Sequence, residues 1–267
     1  MLITIRGAGD IATGIAWRLR QSHFQIIMTD LPMPTAIRRT VAFSTALETG
    51  RFTVEGITAV ACHSPEEALK ACKEGLIAVL PDPELQSLPS LSPKVLVDAV
   101  LAKRNLGTHI TDAPLVIGVG PGFCAGKDCH YIVETKRGHT LGRVIDKGEA
   151  APNSGVPGNI GGYTRERILR APCDGVFSPL REIGDVVCVG DVVAMVGDEP
   201  IRVEISGMLR GMLREGISVT KGFKCGDVDP RGDSVDFRTI SDKARAVGGG
   251  VLEAVMRKFG GLLDGAC

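Results

Sequence analysis

The chain has 267 residues, more than one ordinary domain of roughly 100–150 residues and enough for two. Its 31 Lys and Arg balance 31 Asp and Glu, and this zero formal charge argues against an electrostatic footprint on nucleic acid or anionic lipid. Glycine is the outlier at 34 residues, close to 13% where about 7% is usual, so many turns and close backbone approaches are expected.

Leu2–Arg6 reads as a strand, Ile11–Arg20 as a helix with Ile11, Ile15 and Leu19 on one face, and Gln25–Thr29 as a second strand. Pro65–Cys72 reads as a helix opened by Ser64 as N-cap with Glu67 at N3. Leu76–Leu80, Lys94–Val97 and Leu115–Val119 follow as strands, with the proline-rich stretch 81–93 as a loop among them. This alternation predicts a Rossmann-like α/β domain with a mostly parallel sheet over residues 1–150.

Gly7-Ala8-Gly9-Asp10-Ile11-Ala12 fits G-x-G-x-x-G/A between the first strand and the first helix. Gly7 permits a tight turn, Gly9 lets a pyrophosphate approach the backbone, and Ala12 allows the helix to pack closely on the sheet. The helix N-terminus then faces an anion. Asp30, 21 residues after Gly9, stands where a carboxylate can bind a ribose hydroxyl. Asp10 at the mouth of the loop opposes a phosphate unless turned away or neutralised. Arg38 and Arg39 are candidate phosphate contacts, with plain surface solvation as the alternative. A turn kept for packing alone is the competing reading of the whole motif.

The polar loop 120–143 follows the strand Leu115–Val119, and loops at the C-terminal ends of parallel strands are where open α/β sheets bind ligands. It carries Cys124, Cys129, His130, Glu134, Arg137 and His139. His130, Arg137 and His139 are candidate ligand contacts, with a solvated loop as the alternative. Cys-x₄-Cys-His is not a zinc spacing, and neighbouring Cys129 and His130 point opposite ways if extended, so no metal site is expected. The glycine-rich stretch 151–162 reads as a linker or an anion-facing loop, and Cys225–Asp233 as a turn or a magnesium-binding run of carboxylates. Gly248-Gly249-Gly250 is expected to open a tail helix over Val251–Lys258 within a C-terminal segment 233–267, and anion contact and packing of that helix on the α/β domain explain the glycines equally well.

From Gly175 and again from Gly207 the chain repeats a glycine spacing: positions 175, 184 and 190 fall on 207, 216 and 222 after a shift of 32. Two copies of one small β unit are implied, each too small to bury its apolar face alone. Ala171-Pro172-Cys173-Asp174-Gly175, Ile183-Gly184-Asp185-Val186 and Gly190-Asp191 resemble the biotinyl/lipoyl family, which predicts a small barrel-sandwich-hybrid β module over 165–232. That family carries its cofactor on a lysine between the copies, and here no lysine occurs from Gly148 to Thr220. A structural or docking role is expected instead.

Met1 leads straight into the first strand without room for a secretory signal, and Leu76–Leu80 and Leu115–Val119 stop at Pro81 and Gly120, far short of a membrane helix of about 20 residues. The expectation is a cytoplasmic protein with no membrane partner. The eight cysteines (62, 72, 124, 129, 173, 188, 225 and 267) contain no Cys-x-x-Cys and read as buried or incidental thiols.

Ile5-Arg6-Gly7-Ala8-Gly9-Asp10-Ile11-Ala12-Thr13-Gly14, Met28-Thr29-Asp30-Leu31-Pro32, Ile37-Arg38-Arg39-Thr40-Val41, Gly120-Pro121-Gly122-Phe123, Glu134-Thr135, Arg137-Gly138-His139, Pro152-Asn153, Gly155-Val156-Pro157-Gly158 and Ser241-Asp242-Lys243-Ala244-Arg245 together resemble the YqeB-type family of selenium-dependent molybdenum hydroxylase accessory proteins. Glu at position 30 and Asn at position 136 are common in that family, where this chain has Asp30 and Lys136. The resemblance implies a maturation factor for a molybdenum hydroxylase client rather than a hydroxylase, and it assigns no catalytic residue. Residues and resemblance together point to a binding protein, with molybdopterin dinucleotide or NAD(P) as candidate cofactor, more than to a stand-alone catalyst, and leave open whether any reaction is catalysed. The alternatives are an NAD(P)-dependent oxidoreductase, for which no Tyr-x-x-x-Lys pair is visible, and a scaffold that binds nothing.

Overall fold

Ile3, Thr4 and Ile5 are wholly buried, so the strand that carries them, β1 (Leu2–Arg6), needs cover on both faces and lies at the centre of its sheet. The computed structural model describes residues 1–262. Its chain forms two compact units: one of Met1–Pro34, Ala42–Asn153 and the residues from Ile240 onward, the other of Thr35–Val41 and Ser154–Thr239.

In the first unit β1 is followed by α1 (Asp10–Gln21), β2 (Gln25–Thr29), α2 (Ala46–Thr49), β3 (Arg51–Val54), β4 (Ile57–Ala61) and α3 (Pro65–Lys73). Next come β5 (Ile77–Leu80), α4 (Leu88–Leu91), β6 (Val95–Asp98), β7 (Leu115–Val119), β8 (Cys124–Ala125), β9 (Tyr131–Val133), β10 (Val144–Ile145) and β11 (Gly148–Glu149). The main sheet runs β10-β9-β7-β6-β1-β2-β5-β4-β3, and β8 and β11 pair separately. α3 starts as the sequence reads: Ser64 Oγ accepts the Glu67 amide at 3.2 Å, while the Glu67 carboxylate accepts the His63 amide at 2.8 Å.

This sheet corrects the Rossmann-like expectation. It is mixed, with nine strands and an antiparallel pair at each end, β3 with β4 and β9 with β10. A doubly wound domain needs helical crossovers, and here β6 reaches β7 through residues 99–114, and β7 reaches β9 through residues 120–130, without a helix. Neither stretch has a helical apolar period, and Pro121, Gly122 and Gly126 break the second.

Cover on that side comes from the end of the chain. α5 (Asp242–Phe259), capped by Ser241 Oγ on the Ala244 amide, packs against α1, β7, β9 and β10. It runs straight through Gly248–Gly250 instead of starting at them. A Cβ added at Gly14 would stand 2.6 Å from Ala244 Cβ, and one at Gly248 would stand 2.8 Å from the Gly14 carbonyl oxygen. Gly14 and Gly248 therefore let the two helix backbones meet, whereas a Cβ at Gly249 would meet nothing within 4 Å.

The second unit contains β12 (Ile168–Arg170), β13 (Gly175–Pro179), β14 (Val186–Val187), β15 (Val192–Val196), β16 (Glu199–Arg202), β17 (Gly207–Met212), β18 (Ser218–Val219) and β19 (Lys224–Asp229). The barrel-sandwich-hybrid expectation is corrected here: the strands form two four-stranded antiparallel sheets, β12-β19-β17-β14 and β16-β15-β13-β18. The physical reason lies in how the copies interlock. β14 of the first copy pairs with β17 of the second, β18 of the second pairs with β13 of the first, and β16 and β12 each add an outer strand.

The 32-residue shift extends to single bonds. Gly184 donates to the Leu209 carbonyl and Gly216 to that of Phe177; Gly190 donates to Val203 and Gly222 to Ala171. Even the Arg170 guanidinium on the Gly222 carbonyl (2.8 Å) has its counterpart in Arg202 on that of Gly190 (3.0 Å). The symmetry breaks at Arg210, where a bulge in β17 puts an extra residue opposite Asp227. Beyond it Met212 donates its amide to the Ile37 carbonyl at 2.8 Å, and Leu213 is wholly buried. In β13 the corresponding residue is Pro179, which has no amide to donate, and the following Leu180 is 56% exposed.

Candidate functional site

β1, β2, β5, β6, β7 and β9 are mutually parallel, so their C-terminal ends share one edge of the sheet. On that edge lie the turn Gly7–Asp10, Asp30, the loop after β6, Gly120–Gly122 and the segment 134–139.

Gly7 sits at φ +95°, and a Cβ there would stand 2.9 Å from the Ala99 carbonyl oxygen, so backbone geometry and space both require glycine. Gly9 is the N-cap of α1, and a Cβ at Gly9 would meet nothing within 4 Å. The Thr13 amide donates to the Gly9 carbonyl at 2.8 Å, which leaves the amides before it to face out of the helix end. Ala12 is 1% exposed beneath the turn. The Asp30 carboxylate accepts the Ala8 amide at 2.8 Å and the Leu31 amide at 2.8 Å. Burial pushes its carboxyl above the usual range although both amides pull it down.

Two more carboxylates at strand ends hold the loops that follow them. Asp98, 2% exposed, accepts from Thr108 Oγ1 at 2.6 Å and from the Val100 amide at 3.2 Å. Arg6, 4% exposed, meets it at 3.5 Å and also donates to the carbonyls of Pro83 and Leu106. Glu134, also buried, accepts the amides of Thr135 and Lys136, each at 2.7 Å, and of Ala151 at 2.8 Å. These bonds hold the loops and commit both carboxylates to them. The Arg6–Asp98–Thr108 group was missed by the sequence reading. Its signal was a charged residue closing each of two apolar strands.

The candidate residues are only partly brought together. Gly7, Gly9, Asp10, Ala12, Asp30, Arg137 and His139 lie at the shared edge. Arg137 makes a two-pronged ion pair with Asp242, the first residue of α5 (3.0 Å for one contact), and His139 is exposed. His130 precedes β9 and its Nδ1 accepts the amide of Val116, near the start of β7, at 3.0 Å, which puts it at the opposite edge. Desolvation and the charge of Lys258 lower its pKa. Arg38 and Arg39 belong to the second unit, where they donate to the carbonyls of Phe237, Thr239 and Met212.

Among the described residues no group of three or more His, Cys, Asp or Glu side chains is arranged to hold a metal ion. Burial pushes the thiols of Cys72 and Cys225 to about 11 and that of Cys129 to about 12, which leaves them protonated. Cys188 is exposed, and Cys267 lies outside the described residues.

Over 255 residues the chain is 52% identical to the Escherichia coli (strain K12) protein YqeB, which covers 96% of this chain and 47% of that protein. This similarity supports the YqeB family. The chain spans about half the length of that relative. No family model matches it. Among solved structures, an aspartoacylase family protein from Mesorhizobium loti is similar with a TM-score of 0.29 and 12% identity, over 85% of this chain and 83% of that one. A succinylglutamate desuccinylase from a Silicibacter species gives a TM-score of 0.25 and 13% identity, over 85% of this chain and 84% of that one. Likenesses at this level carry neither fold nor chemistry across. No helix among the described residues is long and apolar enough to cross a membrane.

Proposed function

We propose that the chain is a cytoplasmic accessory factor for maturation of selenium-dependent molybdenum hydroxylases, binding a nucleotide or the dinucleotide form of the molybdenum cofactor and docking on the client enzyme. The observation that carries the binding half is the glycine turn: Gly7 and Gly9 open the N-terminus of α1 beside a sheet edge, and Asp30 holds the turn through the Ala8 amide. The family likeness supports the maturation half. For docking, the second unit leaves Val176, Leu180, Val186 and Val189 between 54% and 69% exposed, an apolar content that marks interaction surfaces when contiguous.

Thermal-shift titration with NAD, NADP, CTP, GTP and molybdopterin dinucleotides tests the reading. A bound ligand at a hundred times its dissociation constant stabilises by about 2.7 kcal/mol. Gly9→Asp, which has room for its Cβ, should keep the fold and abolish the shift. A shift with nicotinamide dinucleotides alone, accompanied by reduction of a substrate, would replace this function with the oxidoreductase. Silence with every ligand would leave a scaffold.

A further inference from the structure

Formal charge sums to zero over the chain, yet it is segregated along the sheet edge. Over β1, β2 and β5 the loops carry Asp10, Asp30, Asp82 and Glu84. Over β6, β7 and β9 the exposed charges are Lys103, Arg104, Lys136 and Arg137. Of these, Arg137 is paired with Asp242, while among the described residues Lys103, Arg104 and Lys136 have no carboxylate partner.

These cations sit on loops that the fold clamps together. A Cβ at Gly122 would stand 2.5 Å from the Arg104 nitrogen and 2.7 Å from the Lys103 carbonyl carbon, so the loop after β7 lies directly on the loop after β6. A Cβ at Gly120 would stand 2.8 Å from Thr135 Oγ1, which joins the same loop to the segment after β9. Lys103 itself is at φ +64° and Leu101 at φ +61°, left-handed conformations that non-glycine residues adopt at a cost. The acids nearby are committed: Glu134 to three amides, and Asp98 to Thr108, Val100 and Arg6. Leu31 and Val100 are 42% and 40% exposed on the loops after β2 and β6, the strands on either side of β1.

We infer that the ligand of this edge is an extended molecule whose far half is anionic, its nucleotide half lying at the Gly7–Gly9 turn and its far anionic group held by Lys103, Arg104 and Lys136. The inference rests on the nucleotide-binding reading and narrows it. A far half that is neutral or cationic, such as nicotinamide, gains nothing from these side chains, whereas a phosphate or carboxylate there gains from all three.

NAD and its deamido form, nicotinic acid adenine dinucleotide, differ only in a far carboxamide against a carboxylate, and inorganic tripolyphosphate probes the cationic loops alone. Calorimetric titration of the full chain at low salt should show the deamido form binding about tenfold more tightly than NAD, with the preference shrinking in 0.5 M salt as charges are screened on the order of a few ångströms. The double substitution Arg104→Gln with Lys136→Gln should bring the two dinucleotides to near-equal affinity, weakening the deamido form by a larger factor than NAD. Equal binding of the two dinucleotides, or a preference that survives the substitutions, overturns the inference. If neither dinucleotide binds, tripolyphosphate decides: binding that the double variant loses upholds the anionic subsite and removes only the nucleotide reading, and no binding removes both.

Discussion

The carboxylate of Asp30 accepts the amide of Ala8 at 2.8 Å, so the residue that ends β2 holds the glycine turn that follows β1. Ala8 is wholly buried and Asp30 half-buried, and Asp30→Ala leaves the Ala8 and Leu31 amides without their acceptor. Urea unfolding at pH 7 should show a loss of about 1–3 kcal/mol. Because the folded-state pKa of Asp30 is raised, its contribution is fully present below the unfolded value of about 3.9 and falls as pH rises through the folded value. The deficit of the variant should therefore narrow from pH 4 upward, and a deficit that grows with pH would contradict this.

The seam between α1 and α5 separates glycines that packing requires from one that it does not. Gly248→Ala places a methyl 2.8 Å from the Gly14 carbonyl oxygen and should cost about 1–3 kcal/mol through overpacking. Gly249→Ala, with nothing within 4 Å, should stabilise the helix by about 0.5–1 kcal/mol. Melting temperatures of the two variants should move in opposite directions.

In the second unit Asp227 is 2% exposed and is gripped by Arg210 at 2.7 Å and Arg167 at 2.8 Å. Burial acts to raise its carboxyl, but the charge and hydrogen bonds of Arg210, with Lys224 and Arg167, outweigh it and hold it below the usual range. Asp227→Asn strips Arg167 of its counter-charge and leaves Arg210 with the longer Asp229 contact at 3.3 Å, and should cost about 3–5 kcal/mol near neutral pH. A lowered pKa gives stability that is present above the unfolded value and lost as pH falls through the folded one. The cost, followed by circular dichroism in urea, should therefore shrink as pH is taken below about 4.

Thiol labelling separates buried from exposed cysteines. With an alkylating reagent under native conditions, Cys188 should modify first among the described cysteines, while Cys72, Cys129 and Cys225 stay unmodified until the chain unfolds. Peptide mass spectrometry reads each site separately, and early modification of Cys129 would contradict its burial.

Local signals were legible where one element decides its own shape. Ser64 and Glu67 announce α3, and Gly7, Gly9 and Asp30 mark a strand, a turn and a strand end that recur in the structure. The β3–β4 hairpin went unread because its turn is Glu55-Gly56, with Glu55 at φ +44°, instead of a more usual asparagine or aspartate before glycine. The start of α5 was misplaced at Gly248–Gly250, and anion contact and helix packing stay equal readings of Gly248 until its partner, Gly14, is known.

The sequence by itself determined β1, β2, β5, β6 and β7, the glycine turn and the 32-residue repeat, since each rests on periodicity or on a fixed spacing along the chain. Only the tertiary structure decided that the sheet has nine strands with antiparallel ends and that His130 lies at the opposite edge from Arg137 and His139. It also decided that Arg38 and Arg39 bond carbonyls of the second unit. Those outcomes depend on which distant segments pair and which carbonyls lie within reach of a guanidinium. Such choices are made by packing across tens to hundreds of residues, where local pattern carries no signal.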